Sequence, residues 1–438
     1  MNITMRLMKS LKRCIPNAPC TIRGYANLNL RQLDVGYNRR SKEIEKEAEF
    51  HMKDVDYYNS KYYANSPVEM VFQESKGRSL IAKKHISPGE LVLSSTPYVQ
   101  IVHHSHFDKQ CYNCTKPLNE TAARKKSVLA CSECEQVCFC STDCYDQSKL
   151  FHTLSLECDS LKRLGEHYKL ERQEKGDGKW KKNRGVDHVT KDYYSVVRYL
   201  IKTLCQRYFE TKIPNQNKNE YCFEDLWRHI SHRKFMMASS EEDMMIAKMS
   251  AEMILNVRAN ITNKVLLDGV DELMLYELVG KQRSNAISQN GSYSPGLEQR
   301  ETLSTSRVPG NPTKVLSCGA FGIFPPISYV NHSCFPNCEL IERDNKMYLY
   351  AVHDISAGEE VAFCYMNPDT TSERRKFQLN ECFFFECECP PNSKRFCNKK
   401  YMEEHLCKSC SSSLLIYIPE QNRRCCFACG YKTAVLSK

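Results

Sequence analysis

Cysteine spacing is the feature that most constrains how this chain can fold. Its 438 residues include 25 cysteines, many of them in pairs separated by one or two residues. Such pairs have the spacing of thiolate ligands around a metal ion, and the odd total does not suit complete disulfide pairing. The N-terminus shows no apolar stretch typical of a secretory signal peptide. We therefore expect a reducing compartment and several bound zinc ions.

The remaining composition is that of a globular protein, with 41% hydrophobic and 26% charged residues. No run of eighteen apolar residues occurs, so no membrane span is expected. The net charge of +10 is moderate for this length. It only mildly favours nucleic acid over basic protein segments as a partner.

The N-terminal segment is basic. Six lysines and arginines, and no acidic residue, precede Asp34. This composition suits a mitochondrial transit peptide and equally a disordered basic tail, so mitochondrial import stays open beside a cytoplasmic or nuclear location. We expect residues 1–66 to form this tail and a charged helix around 42–53.

The first cysteine cluster occupies residues 111–158. It offers eight nitrogen and sulfur ligands, which suffice for two tetrahedral zinc ions: Cys111, Cys114, Cys131, Cys134, Cys140, Cys144, His152 and Cys158. A module of about fifty residues buries too little apolar area to fold alone, so metal binding must supply much of its stability. Four protein ligands leave no open position on either ion, and we expect both to be structural.

A second cluster lies near the C-terminus. Fifteen residues separate the pair Cys407 and Cys410 from the pair Cys426 and Cys429, which is a zinc-ribbon pattern. Cys425 is an alternative ligand to Cys426.

Between the clusters the hydrophobic pattern alternates between strands and helices. Strands are predicted at 68–72, 80–82, 91–93, 320–324, 347–352 and 360–365. Helices are predicted around 197–208, 245–253 and 271–281, with exposed loops at 171–191 and 288–312.

The most informative segment is 328–338, which reads SYVNHSCFPNC; ISAGEEV follows at 355–361, then Tyr365, then FECEC at 385–389. Together with the turn at Gly77 and the first cluster, this order of motifs resembles the SET-and-MYND methyltransferases over residues 68–390. The resemblance implies an α+β fold: a SET-domain β-fold with a pseudoknot, an inserted MYND zinc finger, a helical insert and a C-terminal zinc-binding segment. The implied parts are 67–110 and 285–381 for the SET domain, 111–158 for the finger, 159–284 for the insert and 382–438 for the post-SET and ribbon segment.

The same resemblance implies S-adenosyl-L-methionine as cofactor, with eight contacting residues: Lys76, Gly77, Arg78, Asn285, Asn331, His332, Tyr365 and Phe385. Tyr365 is the predicted catalytic residue, since a hydroxyl beside the transfer channel can orient the attacking amine. His332 is expected to support the site rather than act as a base. Two positions depart from the family pattern: Ser79 replaces a common second glycine, and five residues rather than three separate His152 from Cys158.

A third zinc site follows from the family pattern. Cys334, Cys387 and Cys389 match its ligands, while Asn392 stands where the last cysteine is usual and Cys397 is the nearest replacement. With the finger and the ribbon, this gives about four zinc ions per chain by ligand counting.

The function implied is methyl transfer to lysine side chains of histone or non-histone proteins, with a proline-rich protein partner for the finger. Ser79 and Asn392 favour the alternative of a catalytically silent, zinc-dependent adaptor that acts as a transcriptional co-regulator. Neither cluster carries a basic recognition helix, so direct nucleic-acid binding is not expected.

Overall fold

The structure is a computed structural model in which Val55–Lys438 forms one compact unit. It describes residues 55–73, 76–118, 129–175, 184–217, 219–231, 254–261, 263–289, 319–343, 345–365, 375–376, 379–380, 383, 385, 387, 407–409, 415–418, 422–426 and 430–434. The predicted helices at 42–53 and 245–253 lie outside these residues, as do four predicted metal ligands, Cys389, Cys397, Cys410 and Cys429.

Short strands form the framework of the described chain. They are β1 Val68–Gln73, β2 Gly77–Ala82, β3 Leu91–Ser95, β4 Val99–Val102, β5 Leu129–Ala130, β6 Cys138–Phe139, β7 Ile287–Gln289, β8 Ala320–Ile323, β9 Asn331–His332, β10 Cys338–Arg343, β11 Lys346–Ala351, β12 Ala362–Phe363, β13 Ile416–Ile418, β14 Arg423–Cys425 and β15 Lys432–Ala434. Five of the six predicted strands are confirmed with small shifts of their ends. The predicted strand at 360–365 is shorter than expected, because only Ala362–Phe363 pairs with another strand.

Small sheets enclose one apolar core in the part of the chain predicted as the SET domain, here called the SET-side core. β1 pairs with β2, and the sheet β10–β11–β3 lies beside them with all pairs antiparallel. Along β11, Met347, Leu349 and Ala351 are buried while the residues between them are partly exposed, which is the period-two pattern of a strand covered on one face. These side chains share their core with Leu80 and Val330.

Three segments distant in sequence converge at one edge of this core. β12 pairs in parallel with β9, so that Ala362 lies opposite Asn331 and Phe363 opposite His332. Ile81 of β2 forms an antiparallel bridge with Glu360. The pairing therefore brings the turn at Gly77, the Asn331–His332 pair and the approach to Tyr365 next to one another.

Five helices have both ends in the described chain: α1 Thr142–Leu154, α2 Glu157–Lys175, α3 Arg184–Lys212, α4 Phe223–Trp227 and α5 Glu272–Asn285. Residues 254–260 are also helical. On α3 the predicted apolar face is confirmed: Val197, Leu200, Ile201 and Leu204 are buried in a core that also contains Tyr112 of the first cysteine cluster. Asp271 caps α5 by accepting a hydrogen bond from the Met274 amide, so this predicted helix is also confirmed.

The predicted loop at 171–191 is wrong over most of its length. α2 continues to Lys175 and α3 already begins at Arg184. Polarity does not separate a loop from a helix that faces solvent, because both have the same composition.

The predicted N-terminal tail also ends earlier than residue 66. Residues 55–63 are helical, and Tyr58 and Tyr63 are fully buried in the SET-side core. The Tyr63 hydroxyl donates to the Pro326 carbonyl at 2.7 Å, which ties this turn to the segment before β9. Among the described helices, none is both long and apolar enough to cross a membrane.

Candidate active site and metal centres

Gly77 is the first residue of β2. It has φ +74°, and a Cβ added there would meet no atom of the described residues within 4 Å. Glycine suits such a position because it adopts positive φ without strain and lets another molecule approach the backbone. Lys76 beside it forms an ion pair with Glu360, with 2.6 Å between Nζ and Oε2.

Asn331 is held by three acceptors around one atom. Its Nδ2 lies 3.2 Å from the Arg78 carbonyl oxygen, 2.9 Å from Ser79 Oγ and 3.0 Å from Glu360 Oε1. Because Nδ2 has only two hydrogens, at least one of these bonds is shared, and the amide can face only one way. The unusual Ser79 is fully buried and serves as one of the anchors.

Arg78 and Asn285 use their side chains for packing. The Arg78 guanidinium donates to the Arg228 carbonyl at 2.9 Å and lies 4.6 Å from the centre of the Tyr329 ring. Asn285 Nδ2 donates at 2.9 Å to the carbonyls of Ile230 and Lys281. The Arg78 side chain therefore joins β2 to the helical insert, and the Asn285 side chain holds the end of α5 against residue 230.

Tyr365 is fixed at both ends. Its hydroxyl donates to the Val330 carbonyl at 2.7 Å, and its backbone amide donates to His332 Nδ1 at 3.0 Å. Burial, with a smaller effect from the charge of Glu360, raises the pKa of Tyr365, so the phenol stays protonated. Its ring lies 6.5 Å from that of Phe385, centre to centre.

His332 is neutral in this setting. Burial, with a smaller contribution from the charge of Arg375, lowers the pKa of His332 to about 3. The ring lies 5.3 Å from that of Tyr365 and 6.2 Å from that of Phe385. The structure thus brings together five of the predicted cofactor residues, Gly77, Asn331, His332, Tyr365 and Phe385, with Lys76 at their edge.

The first cysteine cluster separates into two groups of four ligands. One group is Cys111, Cys114, Cys140 and Cys144, and the other is Cys131, Cys134, His152 and Cys158; within each group the ligand atoms all lie within 4.8 Å of one another. Sulfur and imidazole donors at this spacing fit tetrahedral zinc. The two groups alternate along the chain, so the two segments joined by each metal would enclose a ligand pair of the other metal.

Glu157 is a functional residue that the sequence reasoning missed. It lies 2.8 Å from His152 Nδ1, while His152 Nε2 faces Cys134 Sγ at 3.5 Å. A carboxylate on the far nitrogen of a metal-binding imidazole fixes the ring orientation. The one local sign in the sequence was the five-residue gap before Cys158, which contains Glu157.

The charge of Glu157 is compensated inside the protein. Burial alone would raise the pKa of Glu157, but the charge of Lys202 and the hydrogen bonds from His152 and Tyr112 outweigh it and lower the pKa to about 2. Lys202 belongs to α3, and its Nζ lies 3.9 Å from the centre of the Tyr112 ring. The metal module and the helical insert therefore share one buried charge cluster.

Half of the predicted third metal site lies within the described residues. Cys334 Sγ and Cys387 Sγ are both buried and 3.6 Å apart, a separation that fits two thiolates on one zinc ion. The placement of Cys389 and Cys397 is outside the described residues.

The structure distinguishes Cys425 from Cys426 in the ribbon. Cys426 is buried together with Cys407, and its backbone forms 2.8 Å hydrogen bonds with Tyr431 and Gly430. The Cys425 side chain instead packs with Ile416 and Ile418, against Tyr350 of β11 and Val352 just after it. Of the two alternatives, only Cys426 lies with Cys407.

Comparison with known proteins shows which family and which relatives match this chain. The SET domain family matches residues 77–366. A SET and MYND domain-containing protein of Dictyostelium discoideum is 22% identical over 74% of this chain and 81% of its own length. Histone-lysine N-methyltransferase ASHR1 of Arabidopsis thaliana is 26% identical over 72% of this chain and 52% of its own, and histone-lysine N-methyltransferase SMYD3 of Mus musculus is 25% identical over 74% and 60%.

Among solved structures, the SET domain of LSMT bound to lysine and AdoHcy covers 80% of this chain and 59% of its own, with 13% identity and a TM-score of 0.31. At this TM-score the family assignment depends on the sequence match. The chain spans little more than half the length of the two histone-lysine methyltransferases named above.

Proposed function

Because the chain belongs to the SET domain family, we propose that it is a protein-lysine N-methyltransferase that uses S-adenosyl-L-methionine. The observation that carries this proposal is the convergence of Gly77, Asn331 and Tyr365, which lie on three separate segments that pair at one edge of the core. Three relatives whose names include SET and MYND domains or histone-lysine N-methyltransferase activity support the same class.

The arrangement fits the proposed cofactor. Gly77 leaves open space beside the backbone, and Asn331 presents an amide whose orientation is fixed. The carboxylate of Glu360 accepts from Asn331 and pairs with Lys76, so it holds both residues beside the turn at Gly77. When bound, S-adenosyl-L-methionine supplies the methyl group as an electrophile.

Tyr365 would orient the lysine amine rather than deprotonate it. Its proton is donated to the Val330 carbonyl, so the lone pairs of the phenol oxygen remain to accept an N–H from the substrate. Burial raises the pKa of Tyr365, which favours the neutral phenol over a phenolate base. A lysine amine has a pKa near 10.4 in water, so the attacking molecule is the small neutral fraction that the site aligns.

Two measurements on purified protein test this function. With labelled S-adenosyl-L-methionine and either core histones or a protein mixture, Tyr365→Phe should lower transfer by about 100-fold or more, which is typical of losing one aligning group. Its cofactor affinity, measured by calorimetry, should change little, and Tyr348→Phe on β11 is the matched control. Undiminished transfer by Tyr365→Phe would exclude the proposed role.

The adaptor alternative predicts a different result. A silent SET domain would show no saturable binding of S-adenosyl-L-methionine and no transfer to either substrate preparation. The structure weakens one motive for that alternative, since Ser79 anchors Asn331 from a buried position and leaves the space at Gly77 open.

We further propose that the 111–158 module is a MYND finger whose zinc ions are structural and whose surface binds a proline-rich protein segment. Its helix α1 exposes Leu150 and Leu154, one turn apart on the same face, with 43% and 38% of their surfaces accessible. Leu150→Glu should abolish binding of a proline-rich peptide, whereas Leu170→Glu on α2 should not.

The location of the protein in cytoplasm, nucleus or mitochondria is tested by fusing residues 1–66 to a fluorescent protein.

A further inference from the structure

The imidazole of His332 connects Cys334, a ligand of the predicted third zinc site, to Tyr365. His332 Nδ1 accepts the backbone N–H of Tyr365 at 3.0 Å, and His332 Nε2 lies 3.3 Å from Cys334 Sγ. The second cysteine of the pair, Cys387, is 3.6 Å farther on. His332 thus contacts a predicted metal ligand with one nitrogen and the catalytic segment with the other.

The hydrogen bonds determine which nitrogen carries the proton. A backbone N–H can only donate, so Nδ1 must offer its lone pair to Tyr365 and cannot be protonated. The ring proton of His332 therefore lies on Nε2, where it points to Cys334 Sγ. Geometry alone gives this tautomer, since no other arrangement satisfies the Tyr365 amide.

This tautomer decides between two roles for His332. Nε2 lies close enough to Cys334 and Cys387 that these three ligand atoms could hold one metal ion. A nitrogen that carries a proton has no lone pair for a metal, so His332 is excluded as a ligand in this geometry. It is instead a hydrogen-bond donor to a sulfur, and such a bond stabilises the thiolate form that binds metal.

We propose that His332 is a positioning residue, which donates from Nε2 to the metal-binding sulfur of Cys334 and holds the Tyr365 amide with Nδ1. A metal ion on Cys334 and Cys387 then fixes the imidazole, and the imidazole fixes the start of the segment that carries the Tyr365 hydroxyl. The proposal rests on the proposed function only for the role of Tyr365. Its metal half can be tested without methyl transfer.

Two substitutions separate the two contacts of His332, one with Cys334 and the other with the Tyr365 amide. In His332→Asn the side-chain oxygen can reach the place of Nδ1 and accept from Tyr365, but the side chain is too short to donate to Cys334. In His332→Gln the amide nitrogen can reach the place of Nε2 and donate to Cys334, while the acceptor for Tyr365 is lost. His332→Ala loses both contacts.

The first readout is the rate at which zinc passes to a chromogenic chelator. His332→Asn and His332→Ala should release one zinc ion of the chain about 10- to 100-fold faster than wild type, the range found when a partner of a metal ligand is removed. His332→Gln should release it as wild type does. Equal release from all four proteins, or a wild-type chain with no zinc ion beyond those of the finger and ribbon, would overturn the proposal.

The second readout is the kinetics of transfer with metal kept in excess. His332→Gln should lower kcat with little change in KM for the cofactor, because the Tyr365 amide loses its acceptor. His332→Asn, which keeps an acceptor for that amide, should lose less kcat than His332→Gln under these conditions. If the protein transfers no methyl group at all, only the proposed function fails, and the zinc-release result still stands.

A measurement on the wild-type protein covers the case in which the variants do not fold. Nuclear magnetic resonance of protein labelled with nitrogen-15 in its histidines distinguishes a protonated Nε2 from a protonated Nδ1. His332 should show the proton on Nε2 with zinc bound. A proton on Nδ1, or cobalt-substituted protein whose absorption shows an imidazole ligand in the third site, would overturn the proposal.

Discussion

Ser79 and Asn331, which lie 252 residues apart in sequence, meet through a 2.9 Å hydrogen bond between Asn331 Nδ2 and Ser79 Oγ. Ser79 is completely buried, so water cannot replace its hydroxyl. The residue that departs from the family pattern therefore orients a residue of the proposed cofactor site.

Ser79→Ala should weaken binding of S-adenosyl-L-methionine by about fivefold, since a net hydrogen bond is worth about 1 kcal/mol. The Asn331 amide keeps its acceptors on Arg78 and Glu360, so the loss stays modest. Calorimetric titration measures the effect, and Ser94→Ala in β3 is the control. Unchanged affinity in Ser79→Ala would show that the other two acceptors suffice.

Glu157→Gln should weaken zinc binding by the His152 group about 10- to 100-fold, because the carboxylate that orients the imidazole is lost. The substitution keeps size and removes charge, and it also leaves the buried Lys202 without its partner. Competition with a zinc chelator measures the affinity. Glu166→Gln on the exposed face of the same helix should bind zinc as wild type does.

Cys426→Ser should lower the zinc content by about one ion per chain, whereas Cys425→Ser should leave it unchanged. The first residue is buried beside Cys407 and the second packs among Ile416 and Ile418. A buried serine without a partner costs about 1–3 kcal/mol, so Cys425→Ser should lower the unfolding temperature without metal loss. Metal analysis of the two variants measures their zinc content. Loss of zinc from Cys425→Ser but not from Cys426→Ser would show that Cys425 is the ligand.

Stability should fall as the pH falls below about 6.5, in part because of His229. Burial, together with the charges of Arg78 and Lys281, lowers the pKa of His229 to about 3. In the unfolded chain His229 takes up a proton near pH 6.5, whereas in the folded chain it does so only near pH 3. Its full contribution to the free energy of unfolding is therefore present above pH 6.5 and is lost as the pH falls from 6.5 towards 3.

His229→Phe removes this titration and keeps a ring next to Tyr329, which now lies 4.7 Å away, centre to centre. Urea unfolding at pH 6.5 and pH 5 should therefore show a pH slope smaller by up to about 1.4 kcal/mol per pH unit than in wild type. The exposed His85→Asn is the control. An identical slope in His229→Phe and wild type would contradict the assignment.

Local patterns in the sequence predicted much of this protein. The spacing of eight ligands marked the first cluster, and alternating apolar residues marked strands such as β11, because ligand spacing and strand period depend on neighbouring residues. The motif around Asn331 and His332 indicated the family. For the stretch at 171–191 the local signal was misleading, since polarity alone does not separate a solvated helix from a loop.

Only the tertiary structure decided which side chains meet. It shows that Ser79 contacts Asn331 and that Glu157 contacts His152. It also shows that Cys425 is buried in an apolar cluster and that His332 lies between Cys334 and Tyr365. These contacts depend on how strands far apart in the chain pair and on which way each side chain points. Sequence spacing carries no information on either, because the free energy that selects them comes from the packing of the whole core.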